Sequence, residues 1–552
     1  MAEVLTTKLK SDNLRLFYND IQNNDYYVFV SSVSSDINTR IDAVNSIESK
    51  NLFLEKVVFG KKVFNTDVKF MIKLHLWQKD QVYVQYDDVV NLEDQKFYIV
   101  VGPNNNDTGD YRVYKCLFNN FDSPSLNAPN YEEQTENQIY RTPDKYVWKH
   151  MFALSESDFE AYNAMGYIPI SGNFDINPSA NTDPNAAADG SQISDIFVEN
   201  PVENAGYPYI AGSIGASPTA NELRLRAGGG DNISRINGFY VGMSIYVTDP
   251  NGPSAIYEIT DYEYIAGSDL GKVTVTPNPV DVGTAINWSW SIQPTVKITG
   301  DGTGAEAKSN VIDGNISSIT VLNPGTGYHR IEAEIVDPKY NFDPEAAAAT
   351  DVRATLRPVL SPLGGHGYDL IEEMHCKHVL LYGYVTETDN NQIGKTNTFS
   401  TIGVVKNPEF QYANGMVIPS SNTPGVFDNR IAITTNDYAY VEQNDIIVQL
   451  NADNEEIFSA KVHEVKASAN TIYLSEYMGR HVKQTDSDIS LDRTKKFVNP
   501  TNQKLAINTP VANNIVESLY TQRTGYVYFM EDFIAFERSE TSREEYKLVL
   551  EF

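Results

Sequence analysis

The final residues of the chain alternate between apolar and other side chains. The apolar positions are Tyr546, Leu548, Leu550 and Phe552, and the charged residues Lys547 and Glu551 lie between them. A period of two is typical of a β-strand, in which successive side chains point to opposite faces of a sheet. Because chain ends fray unless other contacts hold them, we expect this segment to be a strand that completes a sheet.

The composition indicates a globular, β-rich protein with more than one domain. The chain has 552 residues, of which 11% are aromatic, and it carries 34 glycines and 25 prolines. That frequency of turn residues suits many short strands better than long helices. We therefore predict a mainly β fold with a few short helices, in which a multi-domain β-sandwich core carries inserted small β-barrel-like modules.

The charge and the cysteines limit the classes of partner. The chain has 43 basic and 73 acidic residues, a net charge of −30. Such a surface repels phosphate groups, so we expect neither nucleic acid nor an anionic membrane as a partner. The acidic surface keeps a protein soluble, and it can also meet basic patches on other proteins. Cys116 and Cys376 are far apart and form no disulfide framework, which fits a reducing compartment.

Local patterns predict several elements. Apolar spacing indicates a helix over 11–22 that begins at Ser11, and Ser155 with Asp158 resembles a capping box at the start of a helix over 156–164. Asn104–Thr108 lies in a turn between two predicted strands. The predicted strands cover 26–33, 68–77, 98–101, 112–118, 146–154, 376–385 and 399–405.

Changes in composition divide the chain into five parts. We predict a core β domain whose first part is 1–172, an inserted β domain over 173–350, a second core part over 351–425, a small β module over 426–483 and closing strands over 484–552. The inserted domain begins with a linker over 172–192 and contains a nested module near 218–292. The nested module and 426–483 share one pattern of apolar segments, in which Tyr240-Val241 and Ile245–Val247 match Tyr440-Val441 and Ile446–Val448. Each module is predicted to be a barrel of about five strands.

A shorter repeat lies within the inserted domain. Val198–Pro201 with Tyr207 is similar to Val321–Pro324 with Tyr328. Each copy predicts a strand, a turn with proline and glycine, and a tyrosine that returns to a sheet.

Motifs for catalysis or cofactor binding are weak. Gly300–Gly304 lacks the lysine and hydroxyl residue of a phosphate loop and no helical pattern follows it, so we interpret it as a turn. The spacing of His366, His375, Cys376 and His378 matches no zinc pattern. No nucleophile motif is present, although a pair of catalytic carboxylates stays open because acidic residues are abundant. We predict that the chain is not an enzyme and binds no cofactor and no metal.

Two groups of aromatic residues stand out. Trp77, Tyr83 and Tyr86 form the first, and Tyr146, Trp148 and Phe152 form the second. Large aromatic side chains dominate protein cores, and they also dominate protein interfaces. The sequence leaves both interpretations open.

Four stretches together resemble one family. They are Leu16–Ile21; the segment with Trp77, Tyr83, Tyr86, Val113–Leu117 and Tyr146–Phe152; Phe399–Pro408; and Gly525–Glu531 followed by Ser542–Phe552. In order and position they are similar to the baseplate wedge subunit of T-even-like contractile-tailed bacteriophages that joins the wedge early as a dimer. The resemblance covers roughly 1–172, 365–410 and 520–552. Residues 173–350 and the module over 426–483 lie outside it and are similar to insertions common in phages of marine cyanobacteria. The family follows its glutamate with Asn-Arg-Pro-Pro, whereas here Glu531 precedes Asp532–Ala535.

The resemblance implies a structural role in the virion. The subunit would be a homodimer that docks onto the complex of the long wedge protein and the trimeric peripheral wedge protein, and would then present a surface to the next wedge subunit. It would lie in the tail baseplate after assembly in the host cytoplasm, with the end segments forming the docking core and the inserted modules facing outward. The alternative is a carbohydrate- or receptor-binding β protein of the tail or cell surface. The positions that carry the resemblance, as structural or interface residues, are Phe17, Tyr18, Trp77, Tyr83, Tyr86, Tyr114, Tyr146, Trp148, Phe152, Asn407, Pro408, Tyr528, Glu531 and Phe552.

Overall fold

A computed structural model describes most of the chain. The described residues are 6–32, 46–87, 90–103, 109–129, 139–170, 192–201, 207, 210–219, 222–227, 233–248, 255–268, 270–276, 288–336, 353–362, 365–385, 398–412, 416–478, 491–492, 495–500, 505–507, 515–516, 518–537 and 544–552. The expected linker over 172–192 and the turn residues Asn104–Thr108 lie outside them, apart from residue 192. Among the described helices, none is long and apolar enough to cross a membrane.

The described residues contain four α-helices and thirty-two strands, together with short 3-10 helices. The helices are α1 (Thr7–Asn23), α2 (Ile47–Glu55), α3 (Glu156–Tyr162) and α4 (Leu370–Glu373). The strands of the first half are β1 (Tyr26–Ser32), β2 (Val57–Val63), β3 (Val68–Lys73), β4 (Tyr98–Val101), β5 (Tyr111–Phe118), β6 (Ile139–Arg141), β7 (Val147–Leu154), β8 (Tyr167–Pro169), β9 (Ile193–Val198), β10 (Ile210–Thr219), β11 (Glu222–Ala227), β12 (Ser244–Thr248), β13 (Ala255–Ile265), β14 (Leu270–Thr276), β15 (Ser289–Gln293) and β16 (Thr295–Gly300).

The strands of the second half complete the set. They are β17 (Thr303–Ile312), β18 (Asn315–Thr326), β19 (Ile331–Val336), β20 (Leu356–Leu360), β21 (His378–Val385), β22 (Thr398–Lys406), β23 (Val426–Asp428), β24 (Ile431–Thr434), β25 (Ile446–Leu450), β26 (Glu456–Lys466), β27 (Thr471–Met478), β28 (Phe497–Val498), β29 (Leu505–Ile507), β30 (Ile515–Val516), β31 (Tyr526–Glu537) and β32 (Glu544–Glu551). The predicted mainly β fold with a few short helices is therefore confirmed.

The chain divides into two compact units. The first unit comprises residues 1–8 and 72–376, and the second comprises residues 9–71 and 377–552. The first unit contains the sheets β4-β5-β7-β6, β20-β9 and β18-β17-β16-β19 and the closed barrel β10-β11-β14-β13-β12-β15. The barrel has a core of its own, which includes Leu225, Tyr262 and Trp290.

The second unit contains strands from both ends of its sequence. The sheet β23-β2-β1-β22-β31 joins segments that are hundreds of residues apart, since Phe29 of β1 pairs with Gly403 of β22. In a second sheet β21 pairs with β3 on one side and with β32 on the other. The third sheet has the order β29-β28-β25-β26-β27-β24-β30.

The C-terminal segment forms the strand that its alternation predicts. Strand β32 runs antiparallel to β21 along its whole length, with Leu548 opposite Leu381 and Leu550 opposite Val379. Beyond the strand, Phe552 N donates a hydrogen bond to Lys377 O at 3.0 Å. The last residue of the sequence is thus fixed to the sheet by its backbone.

The two predicted small modules share one topology. The barrel contains the order β11-β14-β13-β12-β15, and the seven-stranded sheet contains β24-β27-β26-β25-β28. The members of the two sets correspond one to one in chain order. The barrel has six strands rather than about five because β10 closes it between β11 and β15. The seven-stranded sheet extends past 483 through β28, β29 and β30, while β23, which falls in the predicted module, pairs with β2.

A turn before the second strand of each set repeats the same backbone hydrogen bonds. Gly242 N donates to Ile259 O at 2.7 Å, and Asn444 N donates to Val462 O at 2.7 Å. Gly242 has φ 81° and Asn444 has φ 73°. Glycine and asparagine are residues that tolerate this left-handed conformation. The two modules therefore share a conformational requirement at one position.

The structure corrects the alignment of the two modules. The sequence pattern matches Tyr240 with Tyr440, but the shared turn places Tyr240 opposite Glu442 in the second copy. Ile245 then corresponds to Ile447, and both side chains are fully buried. The apolar pattern alone aligns this part of the two modules two positions out of register, because several apolar residues in each copy lie within two positions of each other.

Of the local predictions, the start of α3 is confirmed, whereas the start of α1 and the end of β3 are corrected. Ser155 accepts a hydrogen bond from Asp158 N at 3.1 Å and caps α3. Ser11 does not cap α1, which begins four residues earlier at Thr7 and buries Ser11. Strand β3 ends at Lys73 rather than continuing to residue 77.

The glycine-rich segment between β16 and β17 is a turn, as predicted. Asp301 accepts hydrogen bonds from His329 N at 2.8 Å and Arg330 N at 2.9 Å. A side chain at Gly302 would overlap the ring of Tyr328. Tyr328 and Tyr207, the two tyrosines of the short repeat, are buried in the same hydrophobic core. The turn predicted for the second copy is wrong, because Pro324 lies within β18.

Candidate functional site

Residues that carry the resemblance meet in an aromatic cluster in the second unit. Phe17 of α1 is 4% exposed and its ring stacks on that of Tyr528, with 5.0 Å between ring centroids. The Phe552 ring lies 5.2 Å from Phe17, and the Tyr26 ring contacts both Phe17 and Tyr528. The helix that begins the unit therefore packs on its closing strands β31 and β32.

Polar contacts of Asp20 lie beside this aromatic cluster. The Asp20 carboxylate accepts hydrogen bonds from the Tyr26 hydroxyl, at 2.5 Å, and from the Lys406 ammonium. Burial alone would raise the pKa of Asp20, but the hydrogen bonds from Lys406 and Tyr26 and the charge of Lys406 hold that pKa below its ordinary value. Helix α1 is thus held to β1 and β22 by an ionised carboxylate.

The Asn407-Pro408 pair makes the turn that leaves β22. Asn407 has φ 50°, and its N–H donates to Asp25 O at 2.7 Å. Its side-chain oxygen accepts from Asp25 N at 3.0 Å. Gly525, with φ 95°, lies so close to Pro408 that an added Cβ would be 3.1 Å from the proline Cα. The third and fourth stretches of the resemblance therefore meet at this turn.

Other resemblance positions form a second aromatic cluster, in the first unit. Tyr146 and Trp148 are fully buried and their rings stack at 5.3 Å. The Tyr83 ring lies 5.6 Å from Trp148. Trp77 packs against this cluster and its Nε1 donates to Ser125 Oγ at 3.1 Å. Side chains buried in this way favour the core-packing interpretation over the interface interpretation.

The remaining resemblance positions are divided between core and surface. Tyr114 belongs to the second cluster, and Tyr86 and Phe152 are also buried in the first unit. In the second unit, the Tyr18 ring lies 5.6 Å from that of Phe70. Glu531 is exposed on β31. The structure therefore divides the fourteen positions among aromatic side chains of both units, most of them buried, the turn at Asn407-Pro408 and the exposed Glu531, and does not bring them into one site.

A buried polar network was missed by the sequence interpretation. Lys115 of β5 forms an ion pair with Glu373 of α4, and both side chains are almost inaccessible to water. His366 lies between them: its Nδ1 is 2.8 Å from Lys115 Nζ and 2.9 Å from Glu373 Oε1. Its Nε2 is 2.7 Å from Ser194 Oγ on β9. Gly367 N donates to the other carboxylate oxygen at 2.7 Å.

Electrostatics define the charge state of this network. Burial would raise the pKa of Glu373, but the charge of Lys115 and hydrogen bonds from His366 and Lys115 lower it to about 2. Burial and the charge of Lys115 lower the pKa of His366 to about 4. At neutral pH the network therefore holds one carboxylate, one ammonium and a neutral imidazole. The contacts from Ser194 to His366 and from His366 to Glu373 have the order of a hydrolase triad. However, Lys115 contacts both the imidazole and the carboxylate. The network therefore joins β9 to β5.

One signal in the sequence could have found the network. Lys115 interrupts the otherwise apolar Val113–Phe118, and Lys149, next to His150, interrupts the mostly apolar Val147–Leu154. The two lysines are directly opposite each other on β5 and β7. A charged residue in the middle of a buried strand needs a compensating partner.

The histidine and cysteine cluster considered as a metal site has another structure. His375 has φ 50°, and His375 and Cys376 both lie before β21, which begins at His378 rather than at residue 376 as predicted. Cys116 and Cys376 are both buried. Burial raises the pKa of the Cys116 thiol. Within the described ranges, no group of three or more His, Cys, Asp and Glu residues is placed to hold a metal ion.

Comparison with known proteins gives no assignment. No family model matches the chain, and no curated protein matches it. The function has to be argued from the sequence resemblance and from where the structure places the residues that carry it.

Proposed function

We propose that the chain is a structural virion protein: a baseplate wedge subunit of a contractile-tailed phage that dimerises and bridges neighbouring wedge proteins during ordered assembly. One observation carries the proposal. The stretches that resemble the family are far apart in sequence, yet Phe17 packs with Tyr528 and Phe552 in one core. Tyr83, Tyr146 and Trp148 pack in another.

This distribution is expected if the resemblance marks a common core. Family members that share a function keep the residues of the shared core and vary by insertion at surface positions. The barrel over β10–β15 and the module over β24–β28 have separate hydrophobic cores. The residues that carry the resemblance are mostly buried, and the added modules have cores of their own. This arrangement supports a structural subunit of the family that is enlarged by inserted modules.

The proposed mechanism is assembly through complementary surfaces. A permanent assembly interface usually buries more than about 2,000 Å². A dimer with two-fold symmetry uses the same patch on both copies. Ordered addition then requires that each docking site is completed only after the previous partner has bound. The protein supplies a folded support rather than a catalytic step.

The proposed partners follow from the same role. They are a second copy of the chain, the long wedge protein, the trimeric peripheral wedge protein and the next wedge subunit, in the tail baseplate. Nucleic acid and anionic membranes are not proposed, because the net charge of −30 opposes both.

Reconstitution tests the proposal. The chain would be co-expressed with the long and the peripheral wedge proteins of the phage that encodes it, and the purified complex weighed by native mass spectrometry. We expect a stable complex that contains two copies of the chain for each wedge. Failure to join the preformed complex of the other two proteins, under conditions in which that complex is intact, would contradict the proposal.

A further inference from the structure

Strand β31 carries an exposed aromatic surface. It is the last strand in the order β23-β2-β1-β22-β31. The side chain of Tyr526 is 65% exposed and that of Tyr528 is 42% exposed, although Tyr528 also stacks on Phe17. Tyrosine is enriched at protein interfaces because it offers a large contact area with a polar end.

A β-bulge shapes this edge of the sheet. Val404 of β22 pairs with Phe529, and the next residue, Val405, pairs with Val527. Tyr528 is therefore the extra residue of β31. A bulge disturbs the regular spacing of hydrogen-bonding groups and disfavours continuous pairing with another strand. A partner at this edge would meet side chains rather than a regular ladder of backbone groups.

Charges of opposite sign flank the tyrosines. At one end, Lys50 Nζ of α2 lies 5.7 Å from the centre of the Tyr526 ring. At the other end, Glu531 and Asp532 are exposed. We name Lys50, Tyr526, Tyr528, Glu531 and Asp532 the β31 patch.

We propose that the β31 patch is the contact by which two copies of this chain form a closed dimer. A two-fold axis through the patch places the basic end of each copy against the acidic end of the other, with the tyrosines at the centre. Two chains of net charge −30 repel each other at long range. A contact between them is therefore favoured where the local charges alternate, as they do here. The inference rests on the proposed function for the existence of a dimer and adds the surface that forms it.

The test uses the full-length chain and measures its mass by sedimentation equilibrium over a wide range of concentration. Tyr526→Ser is expected to weaken the dimer by about tenfold or more. Tyr440→Ser is the matched control, since Tyr440 is 73% exposed and lies outside the patch. Lys50→Glu is expected to weaken the dimer, and Lys50→Glu combined with Glu531→Lys is expected to restore it. Far-UV circular dichroism checks that each variant is folded.

Each outcome decides the proposal. Weakening by Tyr526→Ser, no change in the control and rescue by the double charge reversal would support it. A wild-type dimer that survives both Tyr526→Ser and Lys50→Glu would overturn the patch and leave the proposed wedge role intact. A wild-type chain that is monomeric at every concentration would overturn both the patch and the dimeric form of the proposed function. Binding to the other wedge proteins is tested separately, by the reconstitution experiment. If Tyr526→Ser fails to fold, the charge reversals at the exposed patch decide.

Discussion

The ring of Phe17 stacks on the ring of Tyr528, with 5.0 Å between centroids and 24° between planes. The two residues are more than five hundred positions apart in sequence, so the contact closes the second unit by joining its first helix to its last strands. Bringing together residues so far apart in sequence costs conformational entropy, and the burial of well-packed aromatic rings offsets that cost.

Removal of the Phe17 ring is expected to destabilise the second unit. Phe17→Ala should lower the free energy of unfolding by about 3–5 kcal/mol, because it removes a buried aromatic side chain and leaves a cavity. Urea unfolding followed by near-UV circular dichroism would measure the loss. Leu16→Ala is the control: its side chain is 62% exposed on the same helix, and we expect a change within about 0.5 kcal/mol. Equal effects of the two substitutions would contradict the packing described here.

A buried arginine is expected to hold the module over β24–β28 to the adjacent sheet. Arg430 is 1% exposed and bridges Asp428 at 2.6 Å and Glu464 at 3.3 Å. Arg430→Met would remove the cation that pairs with the carboxylates of Asp428 and Glu464. The free energy of unfolding should fall by about 3–5 kcal/mol. Hydrogen exchange should show faster opening of β24 and β26. Lys297→Met breaks an exposed pair with Glu334 and should change stability by no more than about 1 kcal/mol.

Stability is expected to fall in mild acid because histidines are buried in neutral form. Burial lowers the pKa of His366 from 6.5 to about 4. The folded state then binds fewer protons than the unfolded state, so the stabilisation is complete above about pH 6.5 and is lost as the pH falls toward 4. His75, His150 and His375 of the first unit behave in the same way.

Substitution identifies the contribution of His366. His366→Gln should reduce the slope of stability against pH between 6.5 and 4 by up to about 1.4 kcal/mol per pH unit, the value for one proton. Urea unfolding at a series of pH values would measure the slope. His329→Gln is the control because that side chain is 68% exposed. An unchanged slope in the His366 variant would mean that the network is open to water.

A side chain at Gly383 is expected to displace the C-terminal strand. A Cβ at this position of β21 would overlap the Tyr546 hydroxyl of β32. Gly383→Ala should therefore cost about 1–3 kcal/mol through overpacking, and limited proteolysis should cut the C-terminal strand sooner. Gly425→Ala is the control, since no atom lies within 4 Å of its Cβ position. Resistance of the Gly383 variant to proteolysis would argue against close packing of β32.

Sequence reasoning succeeded where the information is local. The alternation up to Phe552 predicted β32, and the spacing of Ser155 and Asp158 predicted the start of α3, because strand faces and helix caps are set by residues a few positions apart. The likeness of the two modules was also visible. Their exact register was not, since it depends on the left-handed residues Gly242 and Asn444.

Long-range partners could not be predicted from one sequence. Nothing near Lys115 shows that its charge is compensated by Glu373, more than two hundred residues away. In the same way, apolar pattern cannot show that β10 closes the barrel or that β1 pairs with β22. Ser11 shows that a local signal can also mislead. Serine is favoured at helix starts, but Ser11 is buried inside α1, which begins at Thr7.

Immunogold electron microscopy of purified virions tests the central claim most directly. An antibody against this chain would be applied to intact particles and to particles with disrupted baseplates of the phage that encodes it. The proposed wedge function predicts gold confined to the baseplate at the tail end. Gold at fibre tips, or no label on accessible, disrupted baseplates, would contradict it.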